Sequence, residues 1–133
     1  LTAFFYFYYS RTMEIKAAIQ SLSALAHEHR LQVFRLLVKH APTGLPAGQV
    51  ATEIAIPNNT LSTHLGLMTR AGLLEAHRDG RRIIYRASFD GMRSLLRFVL
   101  EDCCQAGTGA TEQALQQVGA ISPPKSKTQA QHS

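Results

Sequence analysis

Apolar residues recur at helical spacing through the first part of the chain. Between residues 15 and 26 they fall at i, i+3, i+4, i+7, i+10 and i+11, which places them on one face of an amphipathic helix. These residues are Ile15, Ala18, Ile19, Leu22, Leu25 and Ala26. From about residue 28 to residue 40 apolar side chains lie nearly all round the helical projection, as in a buried helix. Two helices are therefore predicted before a loop that Pro42, Gly44 and Pro46 indicate.

Two shorter helices are predicted after this loop. Residues 47–54 repeat apolar positions four apart, and residues 57–71 form a second run with Pro57 in its first turn. Gly72 follows as the expected C-terminal cap. Two short helices around a tight connection are typical of a helix-turn-helix.

A hairpin and a last helix complete the pattern. The strand-like runs 73–78 and 81–88 flank Asp79-Gly80, which is a strong signal for a β-hairpin. Asp90 is placed to cap a final helix whose apolar residues again follow a helical period. Those residues are Met92, Leu95, Leu96, Val99, Leu100 and Cys103.

The order of elements predicts a mainly α fold with a β-hairpin wing, that is, a winged helix-turn-helix. The first and last helices are more apolar than a small monomer needs. We therefore expect the protein to dimerise through these two helices.

The ends of the chain differ from its middle. Residues 1–12 hold six of the ten aromatic residues, and Met13 follows directly. We interpret them as a non-native or disordered extension or a misread upstream frame, with an aromatic arm packed on the dimer as the alternative. Residues 13–106 form the predicted DNA-binding and dimerisation domain. Residues 107–133 are predicted to be a flexible tail, although the run TEQALQQ within it has weak helical character.

Composition and charge restrict the classes of function that the chain can have. The chain has 14 Lys+Arg against 9 Asp+Glu, so its formal charge is +5 and its partner is expected to be a polyanion. Its two cysteines exclude a disulfide framework and a four-cysteine zinc site. No apolar run approaches the roughly 20 residues that span a bilayer. No P-loop, nucleophile elbow or dinucleotide motif is present in the sequence, so we do not expect an enzyme. We expect the protein to be cytoplasmic.

The second helix of the helix-turn-helix carries short polar side chains on the side away from Leu61 and Leu65. They are Asn58, Asn59, Thr60, Ser62, Thr63 and His64. Asn can pair with adenine, and Ser or Thr can reach bases or phosphates, so these side chains suit the major groove of DNA. The hairpin adds arginines suited to phosphate or the minor groove, namely Arg78, Arg81 and Arg82. Double-stranded DNA is therefore the predicted partner.

His27 and His29 lie at the junction of the first two predicted helices. We expect them to cap a helix or to pack there.

Three segments together resemble the ArsR/SmtB family of arsenic- and metal-responsive repressors. They are ALAHEHRLQVFRLL (24–37), AGQVATEIAIPNNTLSTHLGLMTRAGLL (47–74) and RDGRRIIYRA (78–87), and the resemblance covers roughly residues 15–105. It implies a homodimeric winged helix-turn-helix repressor. Such a repressor binds an inverted-repeat operator and leaves it when a metal, metalloid or oxidant binds.

The family has several sensing sites, and this sequence matches one of them. The Cys-Val-Cys arsenic site is absent from AGQVATEI, and the zinc site of the last helix is doubtful because that helix lacks histidine. Another subgroup has adjacent cysteines at the end of the last helix, which Cys103 and Cys104 match. Some members use a third cysteine nearby, and none exists here.

The chemistry of adjacent thiols suits a soft metalloid. Trivalent arsenic and antimony prefer thiolates, and consecutive residues have Cα atoms about 3.8 Å apart, so both sulfurs can bind one atom. A hydroxide, a thiol of the other subunit or a retained organic group would complete the shell. Glu101 and Asp102 disfavour an acidic thiolate, which argues against a peroxide sensor. The alternative is a structural role, in which Cys103 is a small apolar residue that extends the apolar face of its helix.

The sequence therefore predicts a repressor that is released when arsenite, methylarsenite or antimonite binds Cys103 and Cys104. Two alternatives stay open. One is a repressor of the same fold that responds to thiol oxidation or persulfide, and the other is a winged helix that binds protein rather than DNA.

Overall fold

All the elements expected from the sequence are present in the computed structural model, which describes residues 13–103 and 107–120. In chain order they are α1 (Ile15–Leu25), α2 (Glu28–Lys39), β1 (Leu45–Pro46), α3 (Ala47–Ile54), α4 (Asn58–Arg70), β2 (Leu74–Asp79), β3 (Arg82–Ala87), α5 (Phe89–Arg97), a π-helical segment (Phe98–Cys103) and α6 (Thr108–Ala120). The predicted mainly α fold with a β-hairpin wing is confirmed. Residues 1–12, for which an extension or an arm was predicted, lie outside the described residues.

The main core lies between α2, α3, α4 and the sheet. Its most deeply buried side chains are Val33, Leu37, Val50, Leu61, Leu65, Met68 and Leu73. Burying a side chain of this size contributes about 1.5–3 kcal/mol, so this cluster is the main source of stability. A buried hydrogen bond joins α1 to the same core, because the Ser21 hydroxyl donates to the carbonyl oxygen of Ala71 at 3.0 Å.

The wing is part of a three-stranded antiparallel sheet in which β3 lies between β1 and β2. Asp79 pairs with Arg82, so the turn consists of Gly80 and Arg81 and lies one residue later than the predicted Asp79-Gly80. Gly80 has a φ of +63°, a backbone conformation that suits glycine at the first central position of a hairpin turn. The short strand β1 was not predicted, and it exists only through its pairing with Tyr85 and Ile84.

The start of α5 corrects one prediction. The N-cap is Ser88, whose hydroxyl oxygen accepts a hydrogen bond from the Gly91 N–H at 3.1 Å, whereas Asp90 lies inside the first turn. Asp90 instead pairs with Arg93 at 3.4 Å. A Cβ at Gly91 would collide with the carbonyl oxygen of Gly72, so α5 is in direct contact with the turn that ends α4.

A second, smaller core joins α1 to α5 and the π-helical segment. It consists of Ala18, Leu95 and Phe98, with four partly buried apolar residues around them. The other side of α1 is uncovered, because Ile15, Ile19 and Leu22 are 65%, 56% and 47% exposed. The apolar face predicted for α1 is thus only partly buried within one chain.

Part of the predicted C-terminal tail is helical. The run TEQALQQ was expected to have weak helical character within a tail that starts at residue 107, and it lies in α6 (Thr108–Ala120). Helix α6 packs with Thr111 and Leu115 buried, and Glu112 pairs with Arg97 at 3.6 Å. None of the described helices has the length and apolar character needed to cross a membrane.

Candidate nucleic-acid interface and effector segment

The helix-turn-helix is formed by α3 and α4 and the three residues between them. Ala55 adopts the left-handed conformation with a φ of 61°, which turns the chain sharply after α3. The Ile56 N–H donates to the carbonyl oxygen of Ala51 at 3.2 Å and closes the end of α3. Pro57 then takes the N-cap position with extended backbone, whereas it was predicted to lie in the first turn of the helix. The turn therefore fixes where α4 begins relative to α3.

One side of α4 is buried and the other presents polar side chains to solvent. Leu61, Leu65 and Met68 are buried in the main core. Exposed on the helix are Asn58, Asn59, Thr60, Ser62 and Thr63. The amide oxygen of Asn59 accepts from the Thr60 N–H at 2.9 Å, so its NH₂ group is the part that is available to a base. Five of the six predicted reading residues on this helix thus share its exposed surface.

The wing presents its arginines to solvent as well. Arg78, Arg81 and Arg82 are all exposed. Arg82 pairs with Asp79 at 3.4 Å, and both side chains are 63% exposed, so water screens the pair and it contributes little to stability. Arg81 lies in the turn itself, and no described carboxylate pairs with it. The tip of the wing is therefore positively charged.

His64, the sixth residue predicted to contact DNA, has a different environment. It is partly buried, and its Nδ1 accepts a hydrogen bond from Nη1 of Arg30 at 3.3 Å. Its ring lies 4.7 Å from that of His27 and 6.0 Å from that of His29, measured between centroids. Partial burial lowers the pKa of His64, and the neighbouring His27, Arg30 and His29 lower it further. The structure therefore places His64 at a junction with α2 rather than in the exposed polar row.

No role was assigned to Arg30 from the sequence. Its Nε donates to the carbonyl oxygen of Ala24 at 2.7 Å and its Nη2 to that of Ser23 at 3.3 Å. A basic side chain that satisfies the last carbonyl groups of a helix is common, so an arginine soon after the predicted end of the first helix was the available signal. Through Arg30, the end of α1 is linked to the middle of α4.

The junction histidines also correct the expected cap. His27 takes the N-cap position of α2, but its side chain makes no capping hydrogen bond. Its ring packs instead against the rings of His29 and His64, at 5.6 Å and 4.7 Å between centroids. The expected packing role is thus present and the capping role is not.

The helix that begins with α5 changes form in the residues that lead up to the predicted sensing cysteines. After Arg97 the helix becomes π-helical over Phe98–Cys103. The buried Phe98 at its start packs with Ala18 of α1. The side chain of Cys103 and the whole of Cys104 lie outside the described residues. Short π-helical turns are frequent at functional sites, so this segment is a suitable position for an effector to act on the α1–α5 contact.

The residues of α4 in the candidate site are on a recognised type of domain. A family model described as a helix-turn-helix domain matches residues 25–77, which begin at the end of α1 and end within β2. The chain is similar to the transcriptional activator HlyU of Vibrio cholerae, with 26% identity over 89 residues that make up 67% of this chain and 80% of that protein.

Solved structures agree with this match. A homodimeric winged helix-turn-helix DNA-binding domain of a possible ArsR-family transcriptional regulator from Mycobacterium bovis is 27% identical, with a TM-score of 0.52 and 80% of each chain covered. The structure of a possible transcriptional regulator for arsenical resistance is 24% identical, with a TM-score of 0.54 over 76% of this chain and 94% of that chain. The second likeness supports the fold alone. All three relatives are named as transcriptional regulators and none as an enzyme.

Proposed function

We propose that this chain, which belongs to the ArsR/SmtB family of winged helix-turn-helix transcriptional regulators, represses transcription as an arsenical-responsive homodimer. The homodimer binds an inverted-repeat operator in the absence of effector. A trivalent arsenical bound by Cys103 and Cys104 releases it. The observation that carries the proposal is the row of exposed polar side chains on α4 beside an arginine-bearing wing.

DNA binding follows from the chemistry of that row. The NH₂ group of Asn59 and the hydroxyl groups of Ser62 and Thr63 are short enough to approach base edges in a major groove. Arg81 at the tip of the wing adds a charge that suits a phosphate or a narrow minor groove. His64 is less accessible than the others, so we expect it to support α4 from the side of Arg30 rather than to contact a base.

Dimerisation is supported by the uncovered face of α1. Ile15, Ile19 and Leu22 form a continuous exposed apolar strip at helical spacing, next to the small core that α1 shares with α5. A strip of this kind loses its contact with water when a second copy packs on it, and a two-fold axis pairs each strip with its equivalent. The homodimeric domain from Mycobacterium bovis agrees with this arrangement. An inverted-repeat operator matches the same two-fold symmetry.

The proposed effector step is a ligand exchange at arsenic. With methylarsenite, the arsenic atom forms two As–S bonds and loses two hydroxyl groups, which leave as water with the protons of the two thiols. The methyl group stays on arsenic as its third ligand, so two cysteines suffice. Arsenite or antimonite needs a third donor, from hydroxide or from the partner's thiols.

The π-helical segment supports a route from the thiols to DNA. Phe98 begins the segment and packs on α1, and α1 is joined to the end of α4 by the Ser21–Ala71 hydrogen bond. A change of helix geometry at Cys103 would therefore alter the contact between α1 and α5 and, with it, the distance between the two copies of α4. A coupling free energy of about 1–3 kcal/mol is enough to change operator affinity by 5- to 150-fold.

The test is operator release followed by fluorescence anisotropy. The full chain is bound to labelled DNA from upstream of its own gene, and methylarsenite, arsenite, antimonite and Zn²⁺ are added in parallel. We expect methylarsenite to release the wild-type chain and to leave Cys103→Ser and Cys104→Ser bound. Ser94→Ala, at an exposed position of α5, is the matched control and should be released like the wild type.

Three outcomes would contradict parts of the proposal. Release of both serine variants by methylarsenite would exclude the thiols as the effector site. Release by an oxidant or a persulfide, with no response to any arsenical, would favour the redox-responsive alternative. The absence of DNA binding even at low salt would favour a winged helix that binds protein, because phosphate contacts strengthen as salt falls.

A further inference from the structure

We propose that His27, His29 and His64 form a binding site for a divalent transition-metal ion such as Zn²⁺, separate from the cysteine pair. One ligand nitrogen from each ring lies within 4.8 Å of the others. The three side chains come from two elements, since His27 and His29 begin α2 and His64 lies in α4. The helix packing that forms the main core therefore brings them together.

The geometry is close to that of a three-histidine zinc site. Zn–N bonds of about 2.0–2.1 Å place tetrahedral ligand atoms roughly 3.3 Å apart. The nitrogens therefore have to approach one another by about 1.5 Å at most, which side-chain rotation alone can supply. His27 is exposed and the other two rings are partly buried, so an ion can enter from solvent and keep a water molecule as its fourth ligand.

The nature of the donors selects the ion. Neutral imidazoles suit Zn²⁺, Cu²⁺ and Ni²⁺, whereas Mg²⁺ and Ca²⁺ require oxygen ligands. The nearest acidic side chain in the sequence, Glu28, accepts a hydrogen bond from Gln32 at 3.4 Å and is not among the clustered ligands.

Arg30 makes this site a switch between two states. Arginine has only donors, so His64 Nδ1 must be unprotonated where it accepts from Arg30, and a neutral His64 then carries its proton on Nε2. A metal at Nδ1 would replace Arg30 directly. A metal at Nε2 would move the proton to Nδ1, which could then no longer accept. Either way, metal binding replaces the Arg30–His64 contact by a bridge between α2 and α4.

The rest of the Arg30 side chain need not move. Its bonds to the carbonyl oxygens of Ala24 and Ser23 are made by Nε and Nη2, whereas His64 is contacted by Nη1. The end of α1 therefore keeps its capping interactions in both states. The metal-bound state would fix α4 to the start of α2 independently of any effector at the cysteines.

Zn²⁺ titration of the full chain against a chromophoric chelator tests the site. The chain carries Cys103→Ser and Cys104→Ser so that the thiols do not contribute. We expect one Zn²⁺ per chain, and about tenfold or greater weakening in each of His27→Gln, His29→Gln and His64→Gln. His77→Gln and His40→Gln are matched controls at exposed positions, and we expect them to change the affinity less than about twofold.

A second measurement protects the test against a variant that unfolds. In ¹H–¹⁵N spectra of the imidazole rings, Zn²⁺ should shift the signals of His27, His29 and His64 together and leave those of His40 and His77 in place. Equal losses of affinity in the control variants, or joint shifts of all the histidine signals, would overturn the proposal. Neither measurement uses DNA or arsenical, so the result is independent of the operator-release test.

Discussion

The helix-turn-helix with its wing and the pair formed by α1 and α5 differ in how far each buries its apolar side chains within one chain. In the first region Leu61, Leu65 and Met68 of α4 are fully buried, and the exposed side chains of that helix are polar or charged. In the second, the core consists of three buried residues, and α1 leaves Ile15 and Ile19 more than half exposed. The first region buries the apolar face of its reading helix within one chain, whereas the second leaves an apolar face that only a further surface can cover.

This difference matches the two functions proposed for the two regions, which are DNA binding and the response to an effector. A DNA-reading helix needs a fixed position, so it benefits from a dense core that does not depend on a partner. An effector acts most readily on a contact that has two accessible arrangements, and a small core beside a subunit interface and a π-helical turn offers one.

Ile19→Glu should have the largest effect, because it places a charge on the uncovered face of α1 twice in each dimer. We expect the dimer dissociation constant to rise at least about hundredfold, or about 2.7 kcal/mol, with the fold of each chain retained. Sedimentation velocity and circular dichroism measure the two quantities. Ile83→Glu, at a wing position that is 44% exposed, is the matched control and should remain dimeric. If Ile19→Glu sediments as a dimer, the face of α1 is not the interface.

Much of the fold was predictable because local patterns determine it. The helical period of residues 15–25, the left-handed Gly72 after the C-cap Ala71 and the glycine at residue 80 each specify their element without distant contacts. β1 was missed because two residues, one of them proline, form a strand only when β3 is beside them. For α6, only the weak helical character of TEQALQQ was predictable because few apolar residues mark it, and the burial of Leu115 depends on packing against the rest of the chain.

The candidate site was predictable where exposure follows from a helical face or from a hairpin turn. The polar row of α4 was found because it lies opposite Leu61 and Leu65. His64 was assigned to DNA because its helical position is polar, and no local pattern shows that α2 brings His27 and Arg30 against it. Likewise, apolar spacing does not distinguish an α-helix from the π-helical form that begins at Phe98.

Gly91→Ala tests the contact between the two regions and should have an intermediate effect. The new methyl group would collide with the carbonyl oxygen of Gly72, so α5 would have to move away from the turn that ends α4. We expect the free energy of unfolding in urea to fall by about 1–3 kcal/mol. Gly48→Ala is the matched control, since no atom beyond its chain neighbours and its own helix backbone lies within 4 Å of its Cβ position, and it should raise stability by up to about 1 kcal/mol. Equal stability of the two variants would show that α5 is not packed tightly on this turn.

Arg81→Ala should have the smallest effect and concerns the first region alone. Arg81 is an exposed residue of the wing turn with no carboxylate partner among the described residues, so its loss should leave the free energy of unfolding unchanged. If its guanidinium neutralises a phosphate in the complex, operator affinity should fall about two- to fivefold. The slope of log affinity against log salt should also decrease in magnitude by about one. Arg35→Ala removes the same charge from an exposed position of α2, so it separates a direct contact from a change in net charge. Equal changes in salt slope for the two variants would mean that the wing contributes only to the overall field, and that DNA is held by α4 without a local contact at the turn.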